Sequence, residues 1–332
     1  MRRIAILGAG GMGTALALLF HQSPARVRLW ARSPEHASEL ARCRYNHRHL
    51  PGIHIPHEMA VTGSAREALE GAELVVAAVP STFLRSVLRT VADCVPADVP
   101  FLSVVKGIEN GTFDRPSQII VETLGDRPVA VLSGPSHAEE IARGLPASVV
   151  VAGSSPELNQ AVQASLSHEA FRVYTNPDAI GVELAGALKN IMGIAAGVCD
   201  GLGFGDNAKA ALLTRGLVEI TRMGVALGGQ PATFHGLAGI GDLVTTCYSP
   251  FGRNRSVGER IGRGERLEQI LEGMVNVAEG VPTTRSVHAL ALHRGINMPI
   301  TAELHQVLFE GKNPRSAVSD LMVRLPRYEW DQ

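Results

Sequence analysis

Lys189 stands on an unusual face of a predicted helix at residues 182–198. The neighbouring positions on that face are small or polar: Gly186, Asn190, Gly193 and Gly197. Each glycine costs a helix on the order of 1 kcal/mol relative to alanine, so stability alone does not favour such a face. The pattern suggests that a small polar ligand approaches closely and meets the Lys189 ammonium. The alternative is glycine-mediated helix packing with Lys189 simply solvated.

A second pattern predicts an anion site near the amino terminus. The motif GxGxxG occupies residues 8–13, directly after a predicted strand at 4–7, and opens a predicted helix at 11–21. Gly8 permits a tight turn, Gly10 lets the backbone approach a pyrophosphate, and Gly13 allows the helix and strand to pack closely. The N–H groups at the helix start favour the anion. The motif therefore predicts dinucleotide binding, and a glycine turn without a ligand is the alternative.

The end of the next predicted strand indicates which dinucleotide binds. A site specific for NAD usually has Asp or Glu there, about 20 residues beyond the glycines, to bind the ribose 2′-hydroxyl. Here the strand at 27–30 is followed by Ala31 and Arg32, and the first acidic residue is Glu35. A guanidinium at this position suits a 2′-phosphate. NADP(H) is therefore expected to be preferred or at least accepted, with NAD(H) also usable, unless Arg32 is an ordinary surface arginine.

Short apolar runs alternate with helical stretches through the first half of the chain. The runs predict strands at 4–7, 27–30, 74–79, 101–105, 129–132, 148–152 and 172–174. Several are continuously apolar, as in strands buried on both faces of a parallel sheet. We therefore predict an α/β Rossmann-type, doubly wound NAD(P)-binding domain at residues 1–178. Strand signals then stop, which predicts an all-α C-terminal substrate domain at residues 179–332, with Gly-rich turns at 200–206 and 236–242.

The composition argues against several classes of protein. Lys and Arg number 31 against 32 Asp and Glu, without the basic excess of nucleic-acid binders. The cysteines, at 43, 94, 199 and 247, show no CxxC or zinc-like spacing and are expected to be reduced thiols of a cytoplasmic protein. No apolar stretch reaches the length of a membrane span. Glycines interrupt the apolar amino terminus, so we do not interpret it as a signal peptide.

A histidine-rich segment at 46–57 raises the question of a metal site. Its imidazoles are those of His47, His49, His54 and His57. No HExxH helix or Cys/His pairing accompanies them, and prolines interrupt the run. We therefore predict a surface loop here and no metal.

Ordered motifs run through nearly the whole chain. They are GAGGMGTALA at 8–17, NHRHLPG at 46–52, VPS at 79–81, KGIE at 106–109, LSGPSHAEE at 132–140, ELAGALKN at 183–190, DGLGFGDNAKAALLTRGL at 200–217, GLAGIGDL at 236–243, GRNR at 252–255 and VAEGVPTT at 277–284. Together they resemble bacterial-type NAD(P)-dependent glycerol-3-phosphate dehydrogenase. The resemblance implies two domains with the substrate between them. It also implies reversible hydride transfer between the nicotinamide and C2 of dihydroxyacetone phosphate, giving sn-glycerol 3-phosphate for phospholipid synthesis.

The resemblance also assigns roles to individual residues. Lys189 resembles the proton donor to the carbonyl oxygen, Lys106 a second cation touching substrate and cofactor, and Asp242 a substrate contact that orients Lys189. Further substrate contacts are implied for Gly134, Ser136, Gly252, Arg253 and Asn254. Cofactor contacts are implied for Gly8, Gly10, Gly11, Met12, Gly13, His49, Lys106, Ala138, Arg253, Val277 and Glu279. From its local sequence alone, Asp242 could also be a helix cap.

Three positions depart from the pattern of that family. Gly252 stands where a serine commonly precedes the Arg-Asn pair, so only a backbone contact is expected there. Met12 replaces a bulky aromatic residue in the glycine turn, and His137 replaces a phenylalanine. None of these changes removes a charged group, so they would alter affinity more than reaction type.

Two other functions fit parts of the sequence. A related dehydrogenase acting on a β-hydroxyacid or ketopantoate would need a site for a carboxylate instead of a phosphate. A cofactor-binding sensor would keep the glycine motif and tend to lose the proton donor, whereas Lys106, Lys189 and Asp242 are all present. Cations gathered in one cleft repel one another, which favours a phosphorylated ligand. We expect no nucleic-acid partner and no membrane insertion, and a homodimer is the commonest assembly for such a protein.

Overall fold

The computed structural model describes residues 1–326, 328 and 329. Contacts divide the chain into two compact units, the first formed by Met1–Lys106 and Asp114–Glu183 and the second by Gly107–Phe113 and Leu184–Gln332. The domain limits expected from the sequence, 1–178 and 179–332, stay a prediction, and residues 327 and 330–332 lie outside the described part. The segment Gly107–Phe113 leaves the first unit and belongs to the second, and we call it the excursion. The predicted limits contain no such segment.

The first unit is built on a mainly parallel sheet. The strands are β1 (Arg3–Leu7), β2 (Arg26–Trp30), β3 (Tyr45–Asn46), β4 (Leu50–His54), β5 (Ala60–Thr62), β6 (Leu74–Ala77), β7 (Phe101–Ser103), β8 (Val129–Ser133), β9 (Ala147–Gly153) and β10 (Phe171–Asn176). The main sheet has the order β10-β9-β8-β7-β6-β1-β2-β5, and β3 pairs with β4 separately. Strand order reverses at β1, as in a doubly wound fold. The predicted Rossmann-type class is confirmed.

Burial explains why apolar runs became central strands. Every residue of β6 and β7 is buried, as expected for strands covered on both faces. β9 departs from the parallel pattern, because it runs antiparallel to β8 with Gly153 opposite Ala130. The end of β9 therefore lies at the edge of the sheet where β8 begins. An apolar run does not carry strand direction, so the sequence could not predict this reversal.

The segment predicted as a surface loop at 46–57 contains short strands instead. β3 and β4 form an antiparallel pair in which Asn46 lies opposite Leu50. Leu50 and Ile55 are fully buried and anchor the hairpin, a signal that the many His and Pro residues obscured. The loop prediction was therefore wrong for the backbone. The exposed imidazoles of the hairpin are those of His47, His54 and His57.

Helices complete the first unit and make up most of the second. They are α1 (Gly11–His21), α2 (Pro34–Cys43), α3 (Ala65–Leu69), α4 (Leu84–Val91), α5 (Pro116–Leu124), α6 (Ala138–Ala142), α7 (Pro156–Leu166), α8 (Ala179–Gly201), α9 (Asp206–Ala226), α10 (Pro231–Phe234), α11 (Asp242–Tyr248), α12 (Arg253–Gly262), α13 (Leu267–Glu272), α14 (Gly280–Arg294), α15 (Pro299–Phe309) and α16 (Pro314–Met322). The helical class of the C-terminal part is confirmed. The predicted turn at 236–242 is instead a π-helical turn, Leu237–Gly241, that leads directly into α11.

The long helix α8 is apolar enough to be mistaken for a membrane span. It has 23 residues, and an 18-residue window of it meets the length and hydropathy of a crossing helix. The expectation that no stretch reaches that length was therefore wrong. The whole window is nevertheless buried inside the protein, which is the situation of a core helix.

Glycines let α8 and α12 cross with their backbones in contact. A Cβ on Gly197 would lie 1.9 Å from the Arg255 carbonyl oxygen, and one on Gly258 would lie 1.9 Å from the Ile194 carbonyl oxygen. A Cβ on Gly193 would meet a methyl of α11 at 2.6 Å. The interpretation of this glycine face as a ligand surface was wrong at these positions, because helix packing explains it.

One buried hydroxyl fastens the excursion at Gly107–Phe113 to α14. Ser286 Oγ donates a hydrogen bond to Asn110 Oδ1 at 2.6 Å and lies 3.1 Å from the Ile108 carbonyl oxygen. Ser286 is only 1% exposed. The excursion is thus an integral part of the helical unit.

Glu219 on α9 is a buried carboxyl that holds the start of α15. It accepts hydrogen bonds from the backbone N–H groups of Ile300 at 2.5 Å and Thr301 at 3.2 Å. Burial raises the pKa of Glu219 from 4.5 to about 7, and the hydrogen bonds only partly oppose this. Between these pKa values the folded chain holds a proton that the unfolded chain has lost. The stability that this group contributes is therefore present below pH 4.5 and is lost as the pH rises through about 7.

We expect Glu219→Gln to remove this pH dependence. A pKa difference of this size corresponds to about 3 kcal/mol between acidic and neutral pH. The free energy of unfolding of the variant should therefore increase relative to that of the unmodified protein as the pH rises from about 5 to about 8, because only the unmodified protein loses stability over that range. Urea denaturation across that range measures it. A difference that stays constant with pH would contradict the raised pKa.

Candidate active site

A glycine turn joins β1 to α1 at the carboxyl edge of the sheet. Gly8 has φ +116° and donates its N–H to the Trp30 carbonyl oxygen at 3.1 Å. A Cβ on Gly8 would lie 2.6 Å from the Ala78 carbonyl oxygen. One on Gly13 would lie 1.8 Å from the Gly8 carbonyl oxygen. The geometry of the chain therefore requires glycine at both positions.

Gly10 differs from these two and tests whether a dinucleotide fits. Its backbone is extended, with φ −77° and ψ −176°, which any residue can adopt. A Cβ on Gly10 would meet no atom of the described residues within 4 Å. Gly10 precedes α1 and brings no side chain to the helix start. An open, side-chain-free space beside a helix amino terminus suits a pyrophosphate, so these residues fit the cofactor.

The β3–β4 hairpin packs against the glycine turn. Asn46 is buried, and its Nδ2 donates hydrogen bonds to the Ala9 carbonyl oxygen at 3.0 Å and to Thr14 Oγ1 at 2.9 Å. The His49 carbonyl oxygen approaches Gly11 so closely that a Cβ there would lie 2.9 Å away. The structure thus places His49 beside the turn, together with Met12 in the first turn of α1. Asn46 is a residue of this site for which the sequence alone predicts no role.

Arg32 lies just beyond the end of β2. In the parallel pair of β1 and β2, Leu7 lies opposite Trp30, so the end of β2 is next to the glycine turn. The Arg32 side chain is exposed, with its guanidinium carbon 5.7 Å from the centre of the Phe83 ring. This is the edge at which a 2′-phosphate is expected.

Lys106 lies beyond the end of β7 and reaches the turn after β8. Its Nζ donates hydrogen bonds to the Gly134 carbonyl oxygen at 3.1 Å and to Ser136 Oγ at 3.3 Å. Ala138 begins α6, and its methyl lies 3.5 Å from where a Cβ on Gly11 would stand. The carboxyl ends of neighbouring parallel strands meet at one edge. The structure therefore brings the candidate residues of the first unit to the edge that carries the glycine turn.

Lys189 is buried and ion-paired within the second unit. Its Nζ lies 2.9 Å from Asp242 Oδ1, and the two side chains are 8% and 3% exposed. The same Nζ donates a hydrogen bond to Thr246 Oγ1. Asp242 directly follows the π-helical turn, a feature frequent at functional sites. Lys189 is thus not a solvated surface lysine, and Asp242 is not the cap of α11, because Gly241 holds that position.

Amide hydrogen bonds join the middle of α8 to the GRN segment, residues 252–254, at the start of α12. Asn254 Nδ2 donates to Asn190 Oδ1 at 2.9 Å, and the Gly280 N–H donates to Asn254 Oδ1 at 2.9 Å. Arg253 donates from its guanidinium to the Val277 carbonyl oxygen at 3.0 Å. Gly252 and Glu279 directly precede α12 and α14. The candidate residues of the second unit are therefore brought together, each group within its own unit.

Thr246 is the residue of this network that sequence reasoning missed. It lies four residues after Asp242 on α11, and residues spaced in this way share one face of a helix. Its hydroxyl therefore reaches the same ammonium as the carboxylate does. The signal available in the sequence was a hydroxyl residue four positions after the candidate site residue Asp242.

Metal-binding residue types and cysteines also occur outside this site. Among the described residues, no group of three or more His, Cys, Asp or Glu side chains could hold a metal ion. All four cysteines are free of disulfides. Burial raises the pKa of the Cys247 thiol to about 12, which keeps it protonated at neutral pH.

Comparisons with known proteins agree along the whole chain. Residues 3–159 match the model of the NAD-dependent glycerol-3-phosphate dehydrogenase N-terminus, and residues 178–319 match that of its C-terminus. Glycerol-3-phosphate dehydrogenase [NAD(P)+] of Geobacillus thermodenitrificans is 48% identical over 99% of this chain and 97% of that protein. Its counterpart in Moorella thermoacetica is 50% identical over 98% and 97%. The crystal structure of glycerol-3-phosphate dehydrogenase from Coxiella burnetii, 38% identical, superposes with a TM-score of 0.94 over 97% of this chain and 99% of that one.

Proposed function

The chain belongs to the NAD-dependent glycerol-3-phosphate dehydrogenase family, and from this premise we propose that it reduces dihydroxyacetone phosphate to sn-glycerol 3-phosphate with NADPH or NADH. The reaction is reversible and supplies glycerol 3-phosphate for phospholipid synthesis. The observation that carries the proposal is the buried Lys189–Asp242 pair, with 2.9 Å between Nζ and Oδ1. A lysine held in this way can stabilise the negative charge that develops on a ketone oxygen and can donate a proton to it.

Lys189 is the proton donor in this mechanism. When bound, the reduced nicotinamide would supply the hydride for C2 of the ketone. The Lys189 ammonium stabilises the charge that develops on the carbonyl oxygen and releases a proton to it, and the neutral amine takes the proton back in the reverse direction. Asp242 and Thr246 hold Nζ from two sides, which fixes the position of the ammonium.

The other candidate residues bind and orient the two ligands. The backbone at Gly10, Gly11 and Met12, with His49 and Ala138 beside it, would hold the cofactor pyrophosphate at the start of α1. Lys106 would add positive charge near substrate and cofactor. Further contacts with the phosphorylated substrate are assigned to Gly134, Ser136, Gly252, Arg253 and Asn254, where the planar guanidinium suits a phosphate. Val277 and Glu279 complete the cofactor contacts.

An absorbance assay tests the proposed function directly. Oxidation of NADPH and of NADH is followed with dihydroxyacetone phosphate, and in parallel with ketopantoate and a β-keto acid. We expect turnover only with the phosphorylated ketone. Activity confined to a non-phosphorylated acid would assign the chain to another reaction. Nucleotide binding without turnover of any of these substrates would indicate a sensor.

Replacing Arg32 by alanine should change the cofactor preference. An arginine–phosphate contact at an exposed site contributes on the order of 1–2 kcal/mol, so kcat/KM for NADPH should fall about ten-fold. NADH has no 2′-phosphate, and its kcat/KM should change little. Equal losses for both cofactors would assign Arg32 a structural role. An unmodified enzyme that uses NADH as well as or better than NADPH would contradict the expected preference.

We also propose that the protein is cytoplasmic. Its cysteines form no disulfides, which suits the reducing environment of the cytoplasm. A homodimer is proposed from the frequency of two-fold assemblies among soluble proteins. Light scattering of the purified chain measures the assembly, and a monomeric mass would contradict it.

A further inference from the structure

The chain uses one helix-start motif twice. Ser33-Pro34-Glu35 begins α2, and Ser155-Pro156-Glu157 begins α7. In the first, Ser33 Oγ donates to Glu35 Oε2 at 2.6 Å and accepts from the His36 N–H at 3.2 Å. In the second, Ser155 Oγ donates to Glu157 Oε2 at 2.9 Å and accepts from the Leu158 N–H at 3.2 Å. Locally, the two motifs are the same capping device.

Both glutamates are exposed and carry a full negative charge at neutral pH. The hydrogen bond from Ser33 is the main cause that lowers the pKa of Glu35. For Glu157 the main cause is a backbone hydrogen bond, followed by that from Ser155. A carboxylate in the first turn also stabilises its helix through the helix dipole. The two motifs are therefore equivalent as stabilisers of a helix start.

The two motifs lie at opposite edges of the sheet. α2 follows β2, whose last residue accepts a hydrogen bond from Gly8, and His36 Nε2 lies 3.5 Å from the Ala9 carbonyl oxygen. The first turn of α2 is therefore packed on the glycine turn. α7 follows β9, and the end of that antiparallel strand lies opposite Ala130, at the edge where β8 begins. Glu157 accordingly stands at the edge away from the dinucleotide turn.

We propose that the Glu35 carboxylate weakens the binding of NADPH relative to NADH and thereby narrows the enzyme's preference between them. The inference rests on the proposed function and adds a residue that opposes Arg32. The 2′-phosphate is the charge by which the two cofactors differ, and it is expected beside Arg32, three residues before Glu35. A carboxylate in the same helix start repels that phosphate. It leaves the 2′-hydroxyl of NADH almost unaffected.

The size of the effect follows from screened electrostatics. A carboxylate and a phosphate dianion one Debye length apart, about 8 Å at physiological salt, repel each other through water enough to change a dissociation constant roughly two- to six-fold, the lower figure applying at that salt concentration. Screening also gives a signature that a structural effect lacks. The repulsion should be largest at low ionic strength and should fade as salt is added.

The test compares Glu35→Gln with the matched variant Glu157→Gln. Both glutamines keep a side chain that can accept from the serine, and both remove one first-turn charge, so similar small losses of thermal stability are expected. Calorimetry measures the dissociation constants of NADPH, NADH, adenosine 2′,5′-bisphosphate and 5′-AMP at low and high salt. We expect Glu35→Gln alone to tighten NADPH and the bisphosphate roughly two- to six-fold at low salt, with the gain shrinking at high salt.

Two results would overturn the inference. One is a ratio of the NADPH and NADH dissociation constants that is the same in Glu35→Gln as in the unmodified protein. The other is a change in the NADPH dissociation constant that is equal in the two variants or does not depend on salt. Failure of the proposed function would look different. In that case the unmodified protein would bind neither cofactor or would leave dihydroxyacetone phosphate unreduced, whatever stands at position 35.

Discussion

Replacing Lys189 by alanine is expected to lower kcat/KM for dihydroxyacetone phosphate about 10³-fold or more. The substitution removes both the positive charge that stabilises the developing alkoxide and the proton that neutralises it. No other donor is proposed at that oxygen. The measurement is the steady-state rate of cofactor oxidation, with cofactor affinity determined separately. A loss in the chemical step should leave that affinity nearly unchanged.

Two matched variants separate this chemistry from folding. Lys189→Arg keeps a positive charge beside Asp242, but a guanidinium does not release its proton at neutral pH, so the variant should fold and remain almost inactive. Lys209→Ala removes a second buried lysine of the same unit, whose Nζ lies 2.5 Å from Asp200. It should lose stability and keep most of its activity. Similar losses of activity in Lys189→Ala and Lys209→Ala would argue against a specific role for Lys189.

Replacing Gly197 by alanine is expected to destabilise the helical unit by about 3 kcal/mol or more. The new Cβ would stand 1.9 Å from the Arg255 carbonyl oxygen, so α8 and α12 would have to separate. The gain of about 1 kcal/mol from the better helix former does not offset this. The midpoint of urea or thermal unfolding measures the loss.

Gly205→Ala is the control for this substitution. A Cβ on Gly205 would meet no atom of the described residues within 4 Å, and the position directly precedes α9. This variant should differ from the unmodified protein by about 1 kcal/mol at most. If Gly197→Ala were as stable as Gly205→Ala, the close contact between the two helices would be wrong.

The sheet was predictable where local pattern and tertiary environment agree. Runs such as Leu74–Ala77 are apolar at every position because both of their faces are covered, and the glycine motif marks the turn after β1. The strands that were missed, β3, β4 and β5, lie in segments whose composition indicates loops. Their pairing depends on a few buried contacts, such as Leu50, which no periodic pattern announces.

Much of the candidate site was predictable residue by residue, but its connections were not. The resemblance names Lys189 and Asp242, whereas their ion pair results from the packing of α8 against α11. Thr246 and Asn190 join the network through contacts made over more than fifty positions in the chain, which local spacing does not encode. The glycine face of α8 was misinterpreted for a related reason. Close approach by a ligand and close approach by a helix require the same small residues.

The path of the chain through Gly107–Phe113 limits how this protein can be divided. A fragment that starts at Leu184 would omit the segment on which Ser286 closes its hydrogen bond to Asn110. A fragment that ends at Glu183 would carry that segment without its helical partner. Gene fusions or domain exchanges that cut once near residue 183 would therefore break a folding unit. A modular exchange has to transfer the short insert together with the helices.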